Sequence, residues 1–260
     1  MRGAKGGSRA PRSRRSRSVV AVLLLLVSLA ACQGGGDVEG ADADARAGEV
    51  APPAPPVPLT GADDPREPST PGAEAAVRAA LETYRQALLA RDGDAAAAAV
   101  TTATLDYFAA MLDLALTAGP EEIGALATQD KFFVTLLRER VTRTTLVGLS
   151  GPGLFAYGVG QGMFGERSVA GVELGDVVVD GPRASATAVS QGQTAPDAFE
   201  FALESGHWKL DLLNLLDALG TTIRLAAADA GQSEQEAIFG LIELSLGRPV
   251  DPRVWDRPGS

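Results

Sequence analysis

The character of the sequence changes near residue 72, and this boundary limits what the chain can fold into. Residues 33–72 are rich in glycine, alanine, proline and aspartate and show no apolar periodicity. Such a segment buries too little apolar surface to offset the entropy lost on ordering, and its proline run at 51–58 favours polyproline II. We therefore predict a disordered, semi-stiff tether over residues 32–72. The remaining residues, 73–260, are enough for one domain with a substantial core.

The first 31 residues are basic and then apolar, as in an export signal. Residues 1–18 carry seven lysines and arginines and no acid, and residues 19–30 are apolar apart from Ser28. This apolar run is too short for a transmembrane helix, which needs about 20 residues. A basic region, an apolar region and then small residues predict a cleaved signal peptide over residues 1–31.

The signal ends at Leu29-Ala30-Ala31-Cys32, which resembles the lipobox of bacterial lipoproteins. The resemblance implies cleavage before Cys32 and attachment of a diacylglyceryl group, usually with a further acyl chain such as palmitate. Cys32 is the only cysteine in the chain, so no intramolecular disulfide competes for it. Two or three acyl chains hold a protein on a bilayer almost permanently, whereas one chain binds marginally. An ordinary secretory signal with an incidental Cys32 is the alternative interpretation.

Removal of the signal leaves a strongly acidic protein. The whole chain has 23 basic and 33 acidic residues, and loss of the signal leaves 16 basic residues and a formal net charge of −17. Binding to nucleic acid or to anionic lipid headgroups depends on lysine and arginine, so neither partner is expected, and the lipid on Cys32 is the predicted membrane anchor. Gln33 stands where some Gram-negative bacteria place the aspartate that retains lipoproteins in the inner membrane. We therefore expect the outer membrane if the organism sorts in that way.

The domain residues predict an α+β fold in the order helices, strands, helices. Apolar residues recur at helical spacing from Thr70-Pro71 as far as residue 141, with breaks at 91–94 and 119–120. Alternating patterns then predict three or four antiparallel strands joined by turns. The predicted strands are 169–179, 183–189, 199–203 and 208–212, and the helices after them are 213–228 and 234–246, the second beginning with a capping box at Ser233.

The helices and the strand Trp208-Lys209-Leu210-Asp211 resemble the NTF2-like (SnoaL-like) superfamily. Residues 84–94 in the first helix and turn, together with 199–203 and Gly206 in the last hairpin, carry the rest of the resemblance. It implies a curved antiparallel sheet wrapped by helices around a conical pocket, here with extra C-terminal helices. The candidate pocket residues are Tyr84, Asp106, Phe199, Phe201 and Trp208.

The superfamily includes ketosteroid-isomerase-like enzymes, which have a tyrosine on the first helix and buried carboxylates opposite it. Tyr84 occupies the place of that tyrosine, and Asp106 is a loose candidate base. The acidic partner expected near the last turn is missing, because Phe199 and Phe201 form an apolar strand face. An oxyanion site needs two preorganised donors, and the sequence suggests one. We therefore interpret Tyr84 as a core tyrosine and assign no catalytic residue.

Metal and cofactor chemistry finds no support in the sequence. His207 is the only histidine, and it falls in a predicted hairpin turn, whereas a zinc site needs several histidine or cysteine ligands. The glycine-rich residues 151–165 lack the Gly-Lys-Ser/Thr of a phosphate loop.

Taken together, these patterns predict a tethered, lipid-anchored envelope protein that binds a small apolar ligand or a protein partner without catalysis. Two alternatives stay open. One is an isomerase- or hydratase-like enzyme that uses Tyr84. The other is a structural or assembly factor of the envelope that docks through its C-terminal helices.

Overall fold

The computed structural model describes residues 71–163, 172–190 and 193–258. The predicted signal peptide, Cys32 and the tether up to residue 70 lie outside these residues. The described residues form an α+β fold with nine α-helices, one 3-10 helix and a four-stranded antiparallel sheet. The α+β class predicted from the sequence is therefore confirmed.

The elements follow one another with short connections. The helices before the sheet are α1 (Pro71–Ala90), α2 (Gly93–Ala99), α3 (Thr102–Thr117), α4 (Pro120–Ala125), α5 (Thr128–Arg140), α6 (Arg143–Val147) and α7 (Gly151–Gly160). The strands are β1 (Val172–Asp180), β2 (Arg183–Ser190), β3 (Gln193–Glu204) and β4 (His207–Asp211). After the sheet come α8 (Leu213–Ala230), α9 (Glu234–Leu246) and the 3-10 helix Pro252–Trp255.

Helix α1 follows the sequence prediction closely. Its apolar positions Val77, Leu81, Tyr84 and Leu88 are all buried, as their helical spacing predicts. The helix ends at Ala90. The next residue, Arg91, has a φ of 53°, which lies in the left-handed region. That conformation cannot continue a right-handed helix, so the chain turns here into α2.

The sheet is a meander with strand order β1-β2-β3-β4. Helix α1 contacts both outer strands, β1 and β4, and α8 contacts β3. On the covered face, Ala184 pairs with Phe201 and Ala186 pairs with Phe199. All four are buried, so small side chains on β2 sit beside large ones on β3.

Both outer strands have partners beyond the sheet. On the β1 side, Arg78 of α1 donates to the carbonyls of Leu174 at 2.8 Å and Gly175 at 2.7 Å. On the β4 side, the Thr101 N–H donates to the Leu210 carbonyl at 3.0 Å. These contacts occupy backbone groups that an open sheet edge would offer to another chain.

Two predicted helical stretches are each divided in the structure. The stretch after residue 94 becomes α2 and α3, because the Thr101 side chain accepts from the Thr104 N–H and begins a new helix. The stretch after Pro120 is divided at Leu126 and Ala127, which both have extended backbone. The glycine-rich segment, for which the sequence predicted no helix, forms α7 with Ser150 as its N-cap.

In the C-terminal region the two predicted helices and the capping box at Ser233 are confirmed. Ser233 and Glu236 form both hydrogen bonds of a capping box, and Gly247, with φ of 68°, ends α9. Trp255 packs back on the domain: its Nε1–H donates to Thr135 Oγ1 at 2.7 Å. Among the described residues, no helix combines the length and the apolar character needed to cross a membrane.

Candidate functional site

The three aromatic residues of the predicted pocket belong to one face of the sheet. Phe199 and Phe201 lie on β3 and are 4% and 0% exposed. Trp208 pairs with Leu203 across the β3–β4 hairpin, which places it on the same face as Phe201 by strand alternation. It is partly buried against the core. The structure therefore brings these three residues together as packed side chains under the helices.

The two polar residues of the predicted pocket lie in different environments. Tyr84 is buried on the inner face of α1, and this burial raises the pKa of its phenol well above the usual range. The phenol therefore stays protonated at neutral pH. Asp106 is exposed on α3 and makes no hydrogen bond or ion pair with the described residues. One residue is thus in the core and the other at the surface.

A polar cluster that the sequence did not suggest joins α3, α5 and α8. The Tyr107 hydroxyl donates to Asp130 Oδ1 at 2.9 Å, and Gln129 Nε2 donates to Asp217 Oδ1 at 2.9 Å. Gly220 allows this approach, because a Cβ there would lie 2.3 Å from Gln129 Oε1. We call these four side chains, Tyr107, Gln129, Asp130 and Asp217, the Tyr107 cluster.

The electrostatics of the Tyr107 cluster centre on Asp130. Partial burial raises the pKa of this carboxyl, the hydrogen bond from Tyr107 lowers it, and the charge of Asp217 raises it; the net direction is upward. The pKa of Tyr107 is raised by burial and by the charge of Asp130, so the phenol remains the donor. Tyr107 and Asp130 lie 23 residues apart on different helices, and neither carries a sequence motif.

We expect Asp130→Asn to flatten the pH dependence of stability between about pH 4 and 6. Because the folded-state pKa of Asp130 is raised, the folded protein binds more protons than the unfolded chain just above the ordinary aspartate pKa. Stability from this group therefore increases as the pH falls through that window. An asparagine carries no charge, and its carbonyl can still accept from Tyr107.

Urea unfolding midpoints at pH 4, 5 and 6 measure this effect. Asp106→Asn is the matched control, because it removes an exposed carboxylate from the position next to Tyr107 on α3. If Asp130→Asn shows the same slope of midpoint against pH as the wild type, the assignment is wrong.

Clefts lined by described residues include three on the surface. A cleft of about 400 Å³ lies between the end of α3 and the C-terminal segment and includes Arg138 and Arg143. A shallow, alanine-rich groove of about 620 Å³ follows α1 and α2. A third cleft, of about 330 Å³, lies where α5, α7 and α9 end. Tyr84 lines none of the three.

One residue that lines the third cleft has a buried hydrogen-bond donor without a partner, and we call this cleft the Arg140 cleft. Its lining residues are Glu139, Arg140, Tyr157, Gln161, Met163 and Leu246. Arg140 Nε is buried and has no hydrogen-bond partner. Buried polar atoms are paired in the great majority of cases, so this unpaired donor, on a residue that lines the cleft, indicates that an acceptor is missing nearby.

Metal binding finds no support in the described part of the chain. Within it, no group of three or more histidine, cysteine, aspartate and glutamate side chains could hold a metal ion. His207 is the first residue of β4 and is exposed, in agreement with the predicted solvated position at the hairpin.

Comparisons with known proteins add no family. No family model matches the chain, and neither a curated protein nor a solved structure does.

Proposed function

We propose that this protein is a lipid-anchored protein of the bacterial envelope whose α+β domain is displayed on a tether and binds a ligand or partner without catalysis. The observation that carries the proposal is Leu29-Ala30-Ala31-Cys32 at the end of a basic and apolar leader. The 38 residues between Cys32 and Pro71 then separate the anchor from the folded domain. A flexible coil of that length spans roughly 35 Å, so the domain would stand clear of the lipid headgroups.

The charge of the domain supports lipid as the means of attachment. Residues 71–260 contain 14 basic and 25 acidic residues, a formal net charge of −11. An anionic membrane repels such a domain. Covalent acyl chains hold a protein on a membrane through buried methylene groups whatever its charge. If the organism sorts lipoproteins by the residue after the cysteine, Gln33 favours the outer membrane.

The NTF2-like form of the domain is part of the proposal. A long first helix that contacts both outer strands of an antiparallel meander supports it, as does the hairpin that contains Phe201, Trp208 and Leu210. The six helices between α1 and the sheet exceed the usual pattern of that superfamily. An experimental structure that shows a flat sheet in place of a curved one would remove this part.

A binding role fits the described residues better than catalysis. Tyr84 is buried, Asp106 is exposed, and Tyr84 does not line any of the three clefts described above. General acid–base catalysis requires its groups within hydrogen-bond reach of one substrate. We therefore assign no catalytic role to these two residues.

We expect Cys32→Ala to lose acylation and to move the protein from the membrane to the soluble fraction. The thiol is the only atom to which the diacylglyceryl group can be attached, and the acidic domain offers no other means of adhesion. Labelling with an alkyne-tagged fatty acid, followed by fractionation in high salt, measures both effects. Globomycin, which blocks lipoprotein signal peptidase, should leave an acylated precursor in the wild type.

Gln33→Ala is the matched control for this experiment, because it changes the adjacent residue and leaves the thiol in place. It should be acylated and membrane-bound like the wild type. A Cys32→Ala protein that is still labelled by the fatty acid would contradict the anchor.

A structural or assembly factor of the envelope is the second candidate, and two exposed leucines favour it. Leu225 on α8 and Leu244 on α9 are 48% and 66% exposed. Both lie on the C-terminal helices through which an assembly factor would dock on its partner. A photo-crosslinking amino acid at position 244, compared with one at the exposed Val178 on β1, would test this role. A specific adduct at 244 alone would support it, and equal labelling at both positions would not.

A further inference from the structure

The Arg140 cleft lies where three helices end. Arg140 is the last residue of α5, Gln161 follows the last residue of α7, and Leu246 is the last residue of α9. Tyr157 stands one turn before the end of α7. The cleft has a volume of about 330 Å³, at the lower end of the range for small-molecule sites. Its occupant must therefore be small.

Hydrogen-bond donors without partners surround the cleft. Arg140 uses only Nη2, which donates to the Ser245 carbonyl at 3.1 Å and to Ser245 Oγ at 3.4 Å. Nε is buried without a partner, and Nη1 makes no hydrogen bond with the described residues. The Tyr157 hydroxyl and the Gln161 side-chain amide likewise make none with the described part of the chain.

The carboxylate of the cleft is already engaged. Glu139 forms an ion pair with Arg248 at 2.7 Å, and its other oxygen accepts from the Asp251 N–H at 3.3 Å. No ion pair joins Arg140 to a carboxylate among the described residues. Burial alone lowers the pKa of Arg140, in accord with a cation that lacks a nearby anion. The guanidinium thus has donors and charge left for a ligand.

We propose that the Arg140 cleft binds the carboxylate of a small molecule that carries a short apolar chain. The carboxylate would accept from Arg140 and from the donors of Tyr157 and Gln161, because charge-assisted pairs of this kind are the strong ones. The apolar chain would lie against Met163 and Leu246. This inference rests on the proposed ligand-binding function and specifies the chemistry of the ligand.

The local field favours a carboxylate over a phosphate. The carbonyl ends of α5, α7 and α9 carry partial negative charge, which limits the anionic charge that a single arginine can stabilise. A second negative charge on the ligand would have no cation of its own among the described residues that line the cleft. A monoanion therefore fits better than a dianion.

The competing role for Arg140 is structural. A cation at a helix C-terminus is favourable in itself, and Arg140 contacts the last turn of α9 through Ser245. Ser245 Oγ also donates to the Ile242 carbonyl at 2.9 Å, so this contact is part of a small network. A purely structural role predicts lower thermal stability on loss of Arg140, with no effect on a ligand.

Octanoate is the probe for a direct test. The mature chain from residue 32 onwards, with Cys32→Ser so that no lipid competes, is titrated by calorimetry and by nuclear magnetic resonance of the Gln161 side-chain amide. We expect one octanoate to bind and to shift that amide signal. Arg140→Gln should weaken binding about 10- to 100-fold, and Tyr157→Phe, which keeps the ring, about 3- to 10-fold.

Controls separate the charge from the apolar chain. Arg224→Gln removes an exposed arginine on α8 whose hydrogen bonds with the described residues go to Thr128 and Thr221. It should change octanoate affinity less than about twofold. Octan-1-ol, which lacks the charge, and acetate, which lacks the chain, should each bind at least about tenfold more weakly than octanoate.

Three results would overturn the inference. They are no binding of octanoate to the wild type, equal binding by the wild type and folded Arg140→Gln, and binding of acetate as tight as that of octanoate. The anchoring experiment depends on Cys32 and not on this cleft. Failure of octanoate binding would therefore leave the lipid anchor standing, and failure of anchoring would leave the cleft standing.

Discussion

Gly93→Ala is expected to destabilise the domain by about 3 kcal/mol, at the upper end of the range for overpacked sites. A Cβ at position 93 would lie 2.1 Å from the carbonyl oxygen of Ala156 and 2.6 Å from its carbonyl carbon. Both atoms belong to the backbone of α7, so the clash cannot be relieved by rotation of a side chain. The variant must separate α2 from α7 to fold at all.

Gly240→Ala is the matched control for this prediction. Gly240 lies inside α9, and a Cβ there would meet nothing within 4 Å. The substitution should stabilise the protein by about 1 kcal/mol through helix propensity. Urea unfolding of the mature chain, followed by circular dichroism, measures both variants. A Gly93→Ala protein as stable as the wild type would show that α2 and α7 do not pack in this way.

The same close packing explains why the sequence did not predict α7. Gly151 of α7 lies against α3, where an added Cβ would come within 2.5 Å of the Ala109 Cβ. Gly93 of α2 lies against α7 in the same way. Periodicity of large apolar side chains is the main sequence signal for a helix. A helix held through contacts at glycine gives little of that signal, because the packing depends on side chains that are absent.

Features set by local chemistry were predictable from the sequence. The start of α1 at Pro71, the capping box at Ser233 and the end of α9 at Gly247 each depend on a few neighbouring residues. The β3–β4 hairpin was also predicted, since its turn and its alternating strands are adjacent. The divisions of the longer helical stretches were not predicted. The division before α3 coincides with the Val100–Leu210 bridge, which joins residues that are distant in the sequence.

The candidate sites show the same limit. Ser245 is a polar residue in the apolar stripe of α9, and the structure shows that it accepts a hydrogen bond from Arg140 on α5. No sequence pattern indicated the role of Arg140, because its partner lies 105 residues away in the chain. The Tyr107 cluster was missed for the same reason. A polar residue in an apolar stripe indicates a polar partner without saying which residue supplies it.

Arg138→Met is expected to destabilise the domain by about 3 kcal/mol and to release the C-terminal segment. Arg138 donates five hydrogen bonds to backbone carbonyls. Three acceptors, Leu114 at 3.1 Å, Ala115 at 2.9 Å and Ala118 at 2.6 Å, lie at the end of α3. The other two, Val254 at 3.0 Å and Asp256 at 3.1 Å, belong to the C-terminal segment.

Methionine keeps much of the apolar stem of Arg138 but donates nothing, so these carbonyls lose their partner. A buried acceptor left without a donor costs about 1–3 kcal/mol, and the end of α3 also loses a cation that complements its dipole. Arg143→Met is the matched control, because the Arg143 side chain makes a single hydrogen bond to the same helix end, to the Leu116 carbonyl at 3.0 Å. Arg143→Met should lower the free energy of unfolding by less than about 1 kcal/mol.

Trp255 reports on the second half of this prediction. Its ring stands edge-on to Phe239 with centroids 5.6 Å apart, so its fluorescence should shift to the red when the segment detaches. In a Trp208→Phe background, where Trp255 is the only tryptophan, Arg138→Met should show this shift in the folded protein and Arg143→Met should not. A destabilised Arg138→Met protein with unshifted Trp255 emission would mean that Phe239 and Thr135 hold the segment without help from Arg138.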